Sequence, residues 1–463
     1  MTRQVDLLIR AGAVATMNAR RDIVRDGAVA VLDGQIVAVG KASDLEQRFQ
    51  AKKTLGALDK LVLPGLVDCH NHAPHFLSKG FIDDMRYPQR WRDRVWPFEA
   101  GLDEEETRVA CMGTFIEMVK HGTTCFWDPG SMHPAGVAKA AAQVGIRGTV
   151  SHLTWDVHDP SAPTQYHWNT AEALAESVQT VQDWHGYNQG RVRASFSLVR
   201  GSHVTDELCR QVKEQADAMG VGIQAHCATS RSEFDSAMET WGYSPVERFH
   251  RAGILGPSTQ LVHMGFVTEA DIEVLKRFDV SVCHCPSASM FGGFGGVSHG
   301  RFPELVAAGV RITLGTDAAA VSRFLDMVRV MYLAACAHKD AKADPTVIGA
   351  HRALEMATLN GARSQLWDRD IGSLEVGKRA DLLVVDTDGI EWQPDPLTTP
   401  VANLVYSSSG SAVRSVVIDG RLVMEDRRML LVDEKEYVRE ARERSREILQ
   451  RIHCGPRLVW PTV

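Results

Sequence analysis

The centre of the chain, residues 63–367, alternates short apolar segments with longer segments of helical periodicity. Parallel strands joined by right-handed helical crossovers have this pattern, because each strand must be followed by a return across the sheet. The predicted strands are 64–69, 123–127, 147–153, 192–199, 221–226, 260–263, 280–285 and 311–316. The predicted helices include 103–120, 135–144, 171–184, 205–219, 244–252, 268–277 and 302–308.

Eight strands in this arrangement predict an α/β fold, a (β/α)8 TIM barrel, with its active site at the carboxyl ends of the strands. The competing fold is an open doubly wound sheet. No Gly-x-Gly-x-x-Gly follows an early strand, which counts against a dinucleotide-binding version of that sheet. The length of 463 residues accommodates one large barrel and a smaller domain.

Both ends of the chain carry β-strand signals. Apolar segments at 5–10, 27–32 and 35–40 surround the hairpin turn Asp33-Gly34, and similar segments return at 380–386 and 413–424. We expect both termini to combine into one small β-domain. The predicted organisation is a composite β-sandwich from residues 1–62 and 368–430, a barrel over 63–367, and a charged helical C-terminal tail over 431–463.

Composition narrows the class of partner. The chain has no basic patch, so we expect no nucleic-acid partner, and its net charge of −7 favours solubility without naming a partner. The expected partner, a small-molecule substrate, follows from the candidate site residues. No segment reaches the ~20 apolar residues that span a bilayer, so we expect no membrane partner. The N-terminus does not resemble a signal peptide, and nine cysteines form no regular framework, which favours reduced thiols in a cytoplasmic protein.

Polar residues follow four of the predicted strands. They are His70 and His72 after strand 1, His226 after strand 5, His263 after strand 6 and Asp317 after strand 8. A His-x-His pair alone arises often by chance, but residues two apart on a strand share a face, and a barrel brings all five to one rim. Three histidines and a carboxylate suit a divalent metal with one open position. Such an ion lowers the pKa of water toward ~7, and a nearby carboxylate can move the proton.

Motifs along the chain resemble the amidohydrolase superfamily, in particular the chlorohydrolase and deaminase branch that includes triazine hydrolases. They are Pro64-Gly65-Leu66-Val67-Asp68-Cys69-His70-Asn71-His72, Gly122-Thr123-Thr124, His226, Trp241-Gly242-Tyr243-Ser244-Pro245-Val246, Gly253-Ile254-Leu255, His263, His284-Cys285-Pro286, Leu314-Gly315-Thr316-Asp317, Ala357-Thr358-Leu359-Asn360-Gly361-Ala362, Ile371-Gly372-Ser373-Leu374-Glu375-Val376-Gly377-Lys378-Arg379-Ala380-Asp381-Leu382 and Val416-Val417-Ile418-Asp419-Gly420-Arg421.

The resemblance implies the same barrel and composite β-domain, a homo-oligomer, and a set of site residues. By this resemblance His70, His72, His226 and Asp317 bind one divalent metal, for which zinc is expected and cobalt, iron and manganese remain open. It also makes Asp317 the proton shuttle and gives His263 the task of orienting water and substrate. No lysine ends predicted strand 4, so the carbamylated lysine of two-metal branches is not expected.

Two departures from the family concern the substrate side. Deaminases of this branch have a glutamate three residues after the strand 5 histidine, which protonates a ring nitrogen, whereas this chain has Thr229. A threonine can donate a hydrogen bond but cannot act as a carboxylic acid. The family usually reads Cys-Pro-x-Ser-Asn after strand 7, whereas this chain reads Cys285-Pro286-Ser287-Ala288-Ser289-Met290. It then enters the glycine-rich segment 291–296, predicted as a flexible connector or a substrate lid. The expected substrate-binding residues are Thr229, His284, Ser289, Phe291 and Trp96.

The missing glutamate favours a substrate that already has a carbonyl. The leading hypothesis is therefore hydrolysis of a C–N or C–S bond in a urea, amide, carbamate or thiocarbamate, most similar to phenylurea and molinate hydrolases. The alternative is deamination or dechlorination of a purine, pteridine or triazine. A non-catalytic scaffold is a third class, and the complete ligand set in the sequence argues against it.

Overall fold

The protein contains two eight-stranded sheets. The structure is a computed structural model that describes residues 2–86, 89–453 and 460. The strands are β1 (Arg3–Ala15), β2 (Ile23–Leu32), β3 (Gln35–Lys41), β4 (Phe49–Pro64), β5 (Leu66–Asp68), β6 (Thr123–Trp127), β7 (Arg147–Ser151), β8 (Val192–Arg200), β9 (Ile223–Cys227), β10 (Thr259–His263), β11 (Ser281–His284), β12 (Arg311–Leu314), β13 (Leu382–Asp386), β14 (Val413–Ile418), β15 (Arg421–Glu425) and β16 (Arg428–Met429).

Helices pack against both sheets. They are α1 (Ala42–Arg48), α2 (Trp96–Gly101), α3 (Glu104–Lys120), α4 (Pro134–Val144), α5 (Thr170–Trp184), α6 (Tyr187–Gly190), α7 (Asp206–Met219), α8 (Arg231–Trp241), α9 (Pro245–Arg251), α10 (Glu269–Arg277), α11 (Pro286–Gly292), α12 (Phe302–Ala307), α13 (Ala319–Ser322), α14 (Met327–Lys342), α15 (Ala350–Met356), α16 (Leu359–Ser364), α17 (Pro400–Ser407) and α18 (Glu434–Ile452). Helix α1 packs on β2 and β3, and most of the other helices surround or connect the strands β5 to β12.

Strands β5 to β12 pair in chain order, and every pair is parallel. The barrel closes between its last and first strands, because the Cys69 N–H donates to the Leu314 carbonyl at 2.9 Å and the Asp317 N–H donates to the His70 carbonyl at 2.8 Å. The predicted TIM barrel is confirmed. All eight predicted strands are present, and their ends differ from the predicted ones by no more than two residues.

The remaining strands form one sheet from both termini, in the order β16-β15-β14-β13-β4-β1-β2-β3. The predicted β-domain from both chain ends is therefore confirmed, and its described strands form one sheet. The N-terminal and C-terminal strands form one continuous sheet because β4 pairs with β1 on one edge and with β13 on the other. The sheet curls, since the β2–β3 turn at Gly34 lies against the β14–β15 turn at Gly420, and an apolar cluster fills the space between the two halves.

A buried ionic network joins the terminal sheet to the barrel. The Arg147 guanidinium, on β7, donates to both oxygens of Asp381 at 2.8 and 3.0 Å and to Asp419 at 3.2 Å. Arg191 and Arg379 also bind Asp419. Although burial opposes ionisation, the hydrogen bond from Arg379 and the charge of Arg147 hold the pKa of Asp419 below its usual range.

The C-terminal helix α18 packs on the barrel through one apolar face. Tyr437, Ala441 and Ile448 are buried, and Arg451 donates to the Glu106 carboxylate at 2.8 Å. The predicted helix over 434–451 is present, while 454–459 and 461–463 of the predicted tail lie outside the described residues. Among the helices described, none has the length and apolar character needed to cross a membrane.

We predict that Arg147→Leu lowers the free energy of unfolding by about 3–5 kcal/mol, because it leaves the Asp381 carboxylate buried without its cation. Urea denaturation followed by circular dichroism measures the change. Arg210→Leu is the control, because it removes an ion pair with Glu207 in which both side chains are about half exposed, and it should cost under about 1 kcal/mol. Equal effects of the two substitutions would contradict the role assigned to Arg147.

Candidate metal centre and cavity

Five side chains that the sequence predicts as site residues meet at the carboxyl end of the barrel. His70 and His72 follow β5, His226 lies in β9, His263 ends β10 and Asp317 follows β12. Each is no more than 9 % exposed. The ligand atoms of His70, His72 and His226 lie within 4.8 Å of one another.

Asp317 faces these histidines with its two oxygens in different directions. Oδ1 lies 3.8 Å from Nε2 of His70 and 3.9 Å from Nε2 of His72, whereas Oδ2 lies 4.0 Å from Nε2 of His263. The Nε2 atoms of His72 and His226 are 3.2 Å apart. One carboxylate oxygen therefore points into the histidine cluster, and the other points toward His263.

Hydrogen bonds behind two of the rings set their tautomers. Nδ1 of His70 lies 2.8 Å from the amide oxygen of Gln224, and Nδ1 of His226 lies 2.8 Å from the Val199 carbonyl. Both partners can only accept, so each Nδ1 carries the proton and each Nε2 presents a lone pair to the cluster. Nε2 of His70 is buried and has no hydrogen-bond partner.

The rings are neutral, as metal ligands must be. Burial lowers the pKa of His70, and burial together with neighbouring imidazoles lowers the pKa of His72, His226 and His263 well below the usual value. A buried nitrogen lone pair without a partner costs about 1–3 kcal/mol unless something binds it. The ring nitrogens of His70, His72 and His226, together with the Asp317 carboxylate, are a donor set that fits one divalent metal ion.

The backbone of this rim is held in unusual conformations. Ala228, His263 and Asp317 have positive φ angles of 51°, 77° and 61°, which cost energy for residues with a side chain. Neighbouring contacts compensate for this cost. The Asn71 amide, for example, donates to the Thr316 hydroxyl and to the Asp317 carbonyl. The side chains of His263 and Asp317 are thereby directed inward by their own main chain.

A cavity of about 920 Å³, including its opening, lies above the cluster. Its apolar wall is Trp91, Val95, Trp96, Leu153, Trp155, Val199, Phe294, Ala318, Ala320 and Val321. Its polar lining, besides His72, His226, His263 and Asp317, is His75, Arg90, Glu99, Arg200, Thr229, Ser230 and Glu233. Aromatic side chains on one part of the wall and polar groups on the rest suit a flat ligand that also carries hydrogen-bonding groups.

Two of the five residues expected to bind substrate line this cavity, namely Trp96 and Thr229. Thr229 has a buried hydroxyl without a hydrogen-bond partner. Its N–H and that of Ala228 donate to the Glu233 carboxylate at 2.9 and 3.1 Å. Glu233 therefore holds the loop after His226 and fixes the position of the Thr229 side chain.

The other three are not among the lining residues of the cavity. Nε2 of His284 lies 2.9 Å from Nε2 of His338, and its ring stacks on Phe302. The Ser289 hydroxyl accepts a hydrogen bond from the Gly296 N–H at 2.9 Å, so it supports a loop. Phe291 is 37 % exposed.

Phe294 takes the place in the cavity that was expected for Phe291. Residues 286–292 form α11, so the first two residues of the glycine-rich segment 291–296 end a helix, and the chain reverses at Gly293, where φ is +63°. The Phe294 N–H then donates to the Ser289 carbonyl, and the Phe294 ring lies edge-on to His263 with ring centroids 5.9 Å apart.

Several cavity and support residues were not predicted from the sequence. Gln224 precedes His226 by two residues and shares its face of β9, which is a usable signal. His75 follows His72 by only three residues in the 3₁₀ turn Ala73–Ser78. Arg90, Glu99 and Arg200 have no local pattern that marks them, because loops and short helices bring them to the cavity.

A barrel with three histidines and an aspartate clustered at the carboxyl end of its strands, beneath a cavity, is typical of metal-dependent hydrolases. Comparison with known proteins is more specific, because the model of the amidohydrolase family matches residues 61–423. The chain belongs to the amidohydrolase family, and it is a hydrolase that acts on C–N bonds other than peptide bonds.

Curated relatives align over nearly the full length. A 5-methylthioadenosine/S-adenosylhomocysteine deaminase of Moorella thermoacetica is 32% identical over 94% of this chain and 96% of its own. A 5'-deoxyadenosine deaminase of Methanosarcina acetivorans is 30% identical over 97% and 100%. Both relatives are named as deaminases, so they do not support the narrower resemblance to phenylurea and molinate hydrolases.

Solved structures agree on the fold. An adenosine deaminase from Xanthomonas campestris with bound zinc has a TM-score of 0.91 and 29% identity, over 97% of this chain and 100% of its own. An atrazine chlorohydrolase from Arthrobacter aurescens with zinc has a TM-score of 0.85 at 20% identity, over 95% and 100%, and this likeness concerns the fold alone. The predicted structural similarity to triazine hydrolases is confirmed.

We predict that Gln224→Leu weakens metal binding about 10–100-fold, because His70 loses the acceptor that fixes its tautomer. Gln260→Leu is a matched control, since Gln224 and Gln260 both donate to the Cys69 carbonyl but only Gln224 contacts a ligand. Competition with a chromophoric chelator gives the affinities. An equal loss of affinity in both variants would show a general effect of disturbing the barrel interior.

Proposed function

We propose that the chain is a metal-dependent deaminase of an amino-substituted nitrogen heterocycle, with adenosine-type nucleosides as the first class to test. The observation that carries this proposal is the convergence of His70, His72, His226 and Asp317, with His263 beside them, at the floor of an aromatic-walled cavity. Full-length relatives named as deaminases of adenosine derivatives support the substrate class.

Asp317 and His263 would carry the proton chemistry. A divalent cation held by His70, His72, His226 and Asp317 would make a water molecule acidic enough to lose its proton near neutral pH. Asp317 can take that proton on Oδ2, the oxygen turned toward His263, and deliver it to the departing amino group. His263 can orient the water and the substrate through Nε2. Zinc is the first metal to test, as the relative from Xanthomonas campestris contains it.

The walls of the cavity support a ring-shaped substrate. Trp96 and Trp155 meet edge to face at 6.0 Å between ring centroids, and Phe294 lies against His263 on another side. Aromatic walls stack on or contact the edges of heterocycles and exclude water. A ring bound between them would place an exocyclic amino group over Asp317 and the histidine cluster.

A second candidate is hydrolysis of a urea, amide, carbamate or thiocarbamate, and Thr229 is the observation that favours it. A hydroxyl in place of the expected glutamate cannot protonate a ring nitrogen. Glu233 binds two backbone N–H groups through its carboxylate, so it does not supply the missing acid in this conformation. A substrate with its own carbonyl needs no such acid, and phenylureas and thiocarbamates such as molinate belong to this class.

A substrate panel on metal-reconstituted protein distinguishes the two candidates. Release of ammonia from adenosine, 5'-deoxyadenosine or another aminopurine supports deamination. Release of an amine or a thiol from a phenylurea or thiocarbamate, without ammonia release from any aminopurine, pteridine or triazine, would replace it with the second candidate. Liquid chromatography with mass spectrometry identifies the products in both cases.

We expect Asp317→Asn to lower kcat by about 10²–10⁴-fold, because an amide cannot accept and return the proton. The metal content of each preparation must be measured, since Asp317 is also a ligand, and kcat is expressed per bound metal. Asp326→Asn is the control, because Asp326 is equally buried but caps α14. Full activity per metal in Asp317→Asn would refute the shuttle role.

Replacing Thr229 tests its contact with substrate. Thr229→Val should lower kcat/KM by about tenfold through loss of one hydrogen bond to the substrate, and Thr229→Ser should retain most of the activity. Steady-state kinetics on the best substrate of the panel measures both. If Val and Ser variants behave alike, the hydroxyl does not contact the substrate.

A further inference from the structure

A second group of metal-ligating side chains lies in the same cavity. It consists of His75, which is 2 % exposed, and Glu99 on α2, together with His72. The ligand atoms of these three residues lie within 4.8 Å of one another. His75 and Glu99 are not part of the proposed catalytic cluster, and both line the cavity.

His75 has a polar partner at each ring nitrogen. Nε2 lies 2.6 Å from Oε1 of Glu99, and because a carboxylate oxygen accepts, a proton on Nε2 makes a short charge-assisted hydrogen bond there. Nδ1 lies 3.3 Å from the Ser78 hydroxyl, whose own proton is donated to the His75 carbonyl at 2.9 Å. The Ser78 oxygen can therefore accept the ring proton on Nδ1 when Nε2 binds something else.

A divalent cation can replace the proton between Nε2 of His75 and Oε1 of Glu99, while the ring proton moves to Nδ1 and is donated to the Ser78 oxygen. A histidine nitrogen with its other N–H bonded to a hydroxyl, beside a carboxylate oxygen, is a donor pair that zinc and similar divalent ions accept. From this geometry we propose that His75 and Glu99 form a second, weaker divalent-cation site, and that its occupation inhibits the enzyme.

The second site must be weaker than the first for two reasons. It offers two side chains of its own, because His72 belongs to the first cluster and one lone pair cannot bind two ions. The rings of His72 and His75 are also in edge contact, with centroids 5.8 Å apart, so two divalent cations would lie close enough to repel each other. The site therefore fills only when metal is in excess over the first site.

The position of the second site explains why a cation bound there would inhibit the enzyme. His75 and Glu99 line the cavity beside His72 and Trp96, so a cation bound to them, with its remaining ligands from water, takes space that substrate needs. The second site itself depends on no particular substrate, and metal binding tests it independently of the proposed deaminase activity.

Metal stoichiometry is the decisive test. Metal-free protein is titrated with Zn²⁺ in competition with a chromophoric chelator, and the amount of bound metal is confirmed by inductively coupled plasma mass spectrometry. We expect two ions per chain in the wild type and one in Glu99→Gln and in His75→Asn. Glu233→Gln, which changes a cavity carboxylate bound only to backbone N–H groups, should still bind two. One ion in the wild type, or two in both site variants, would overturn the proposal.

A complementary variant and an activity profile complete the test. His226→Asn should lose the tight ion and keep the weak one, so weak binding that disappears with His226 would also overturn the proposal. With any substrate that the panel identifies, the Zn²⁺ concentration that halves activity should rise at least about tenfold in Glu99→Gln, each variant being compared with its own maximum. Equal inhibition of wild type and Glu99→Gln by Zn²⁺ would refute inhibition through this site. The metal titration tests the site even if the panel identifies no substrate.

Discussion

The site depends above all on the seam between the first and last barrel strands. Two main-chain hydrogen bonds, from Cys69 to Leu314 and from Asp317 to His70, close the barrel at the level of the ligands. Asp68 reinforces the seam by accepting from the Thr316 N–H, and burial raises the pKa of that carboxyl to about 7. Gly315 permits the close approach, because a Cβ there would lie 2.9 Å from the His70 side chain.

The same seam explains how distant parts of the chain meet at the proposed metal site. His70 and Asp317 are 247 positions apart in numbering, but neighbouring strands put them side by side. The other ligand-bearing strand, β9, lies across the barrel, and His226 reaches the centre from there. Metal binding would therefore connect opposite sides of the barrel rather than adjacent residues of one loop.

Most of the barrel, and the meeting of the five strand-end side chains at one rim, could be predicted because periodic burial and strand-end chemistry leave a signal in the local sequence. Apolar strands such as β6 and β10 have the expected ends almost to the residue. The substrate side left no such signal. Phe291 and Phe294 are three residues apart in a glycine-rich segment, and only the end of α11 decides which ring enters the cavity. Glu99 and His75 lie on two short helical segments that meet only through tertiary packing. Hydrophobic periodicity in the sequence does not predict such a contact.

The curled terminal sheet has a consequence for biosynthesis. Its central strand β4 is made early, but its partner β13 begins only at Leu382, and the carboxylates that neutralise Arg147 are residues 381 and 419. In a nascent chain, one edge of β4 therefore stays unpaired, and Arg147 lacks the carboxylates that neutralise it in the folded protein. Both conditions last until most of the chain has left the ribosome. Such a protein completes its fold late, and chains truncated before Leu382 retain the same exposed edge of β4, which makes them targets for chaperones and proteases.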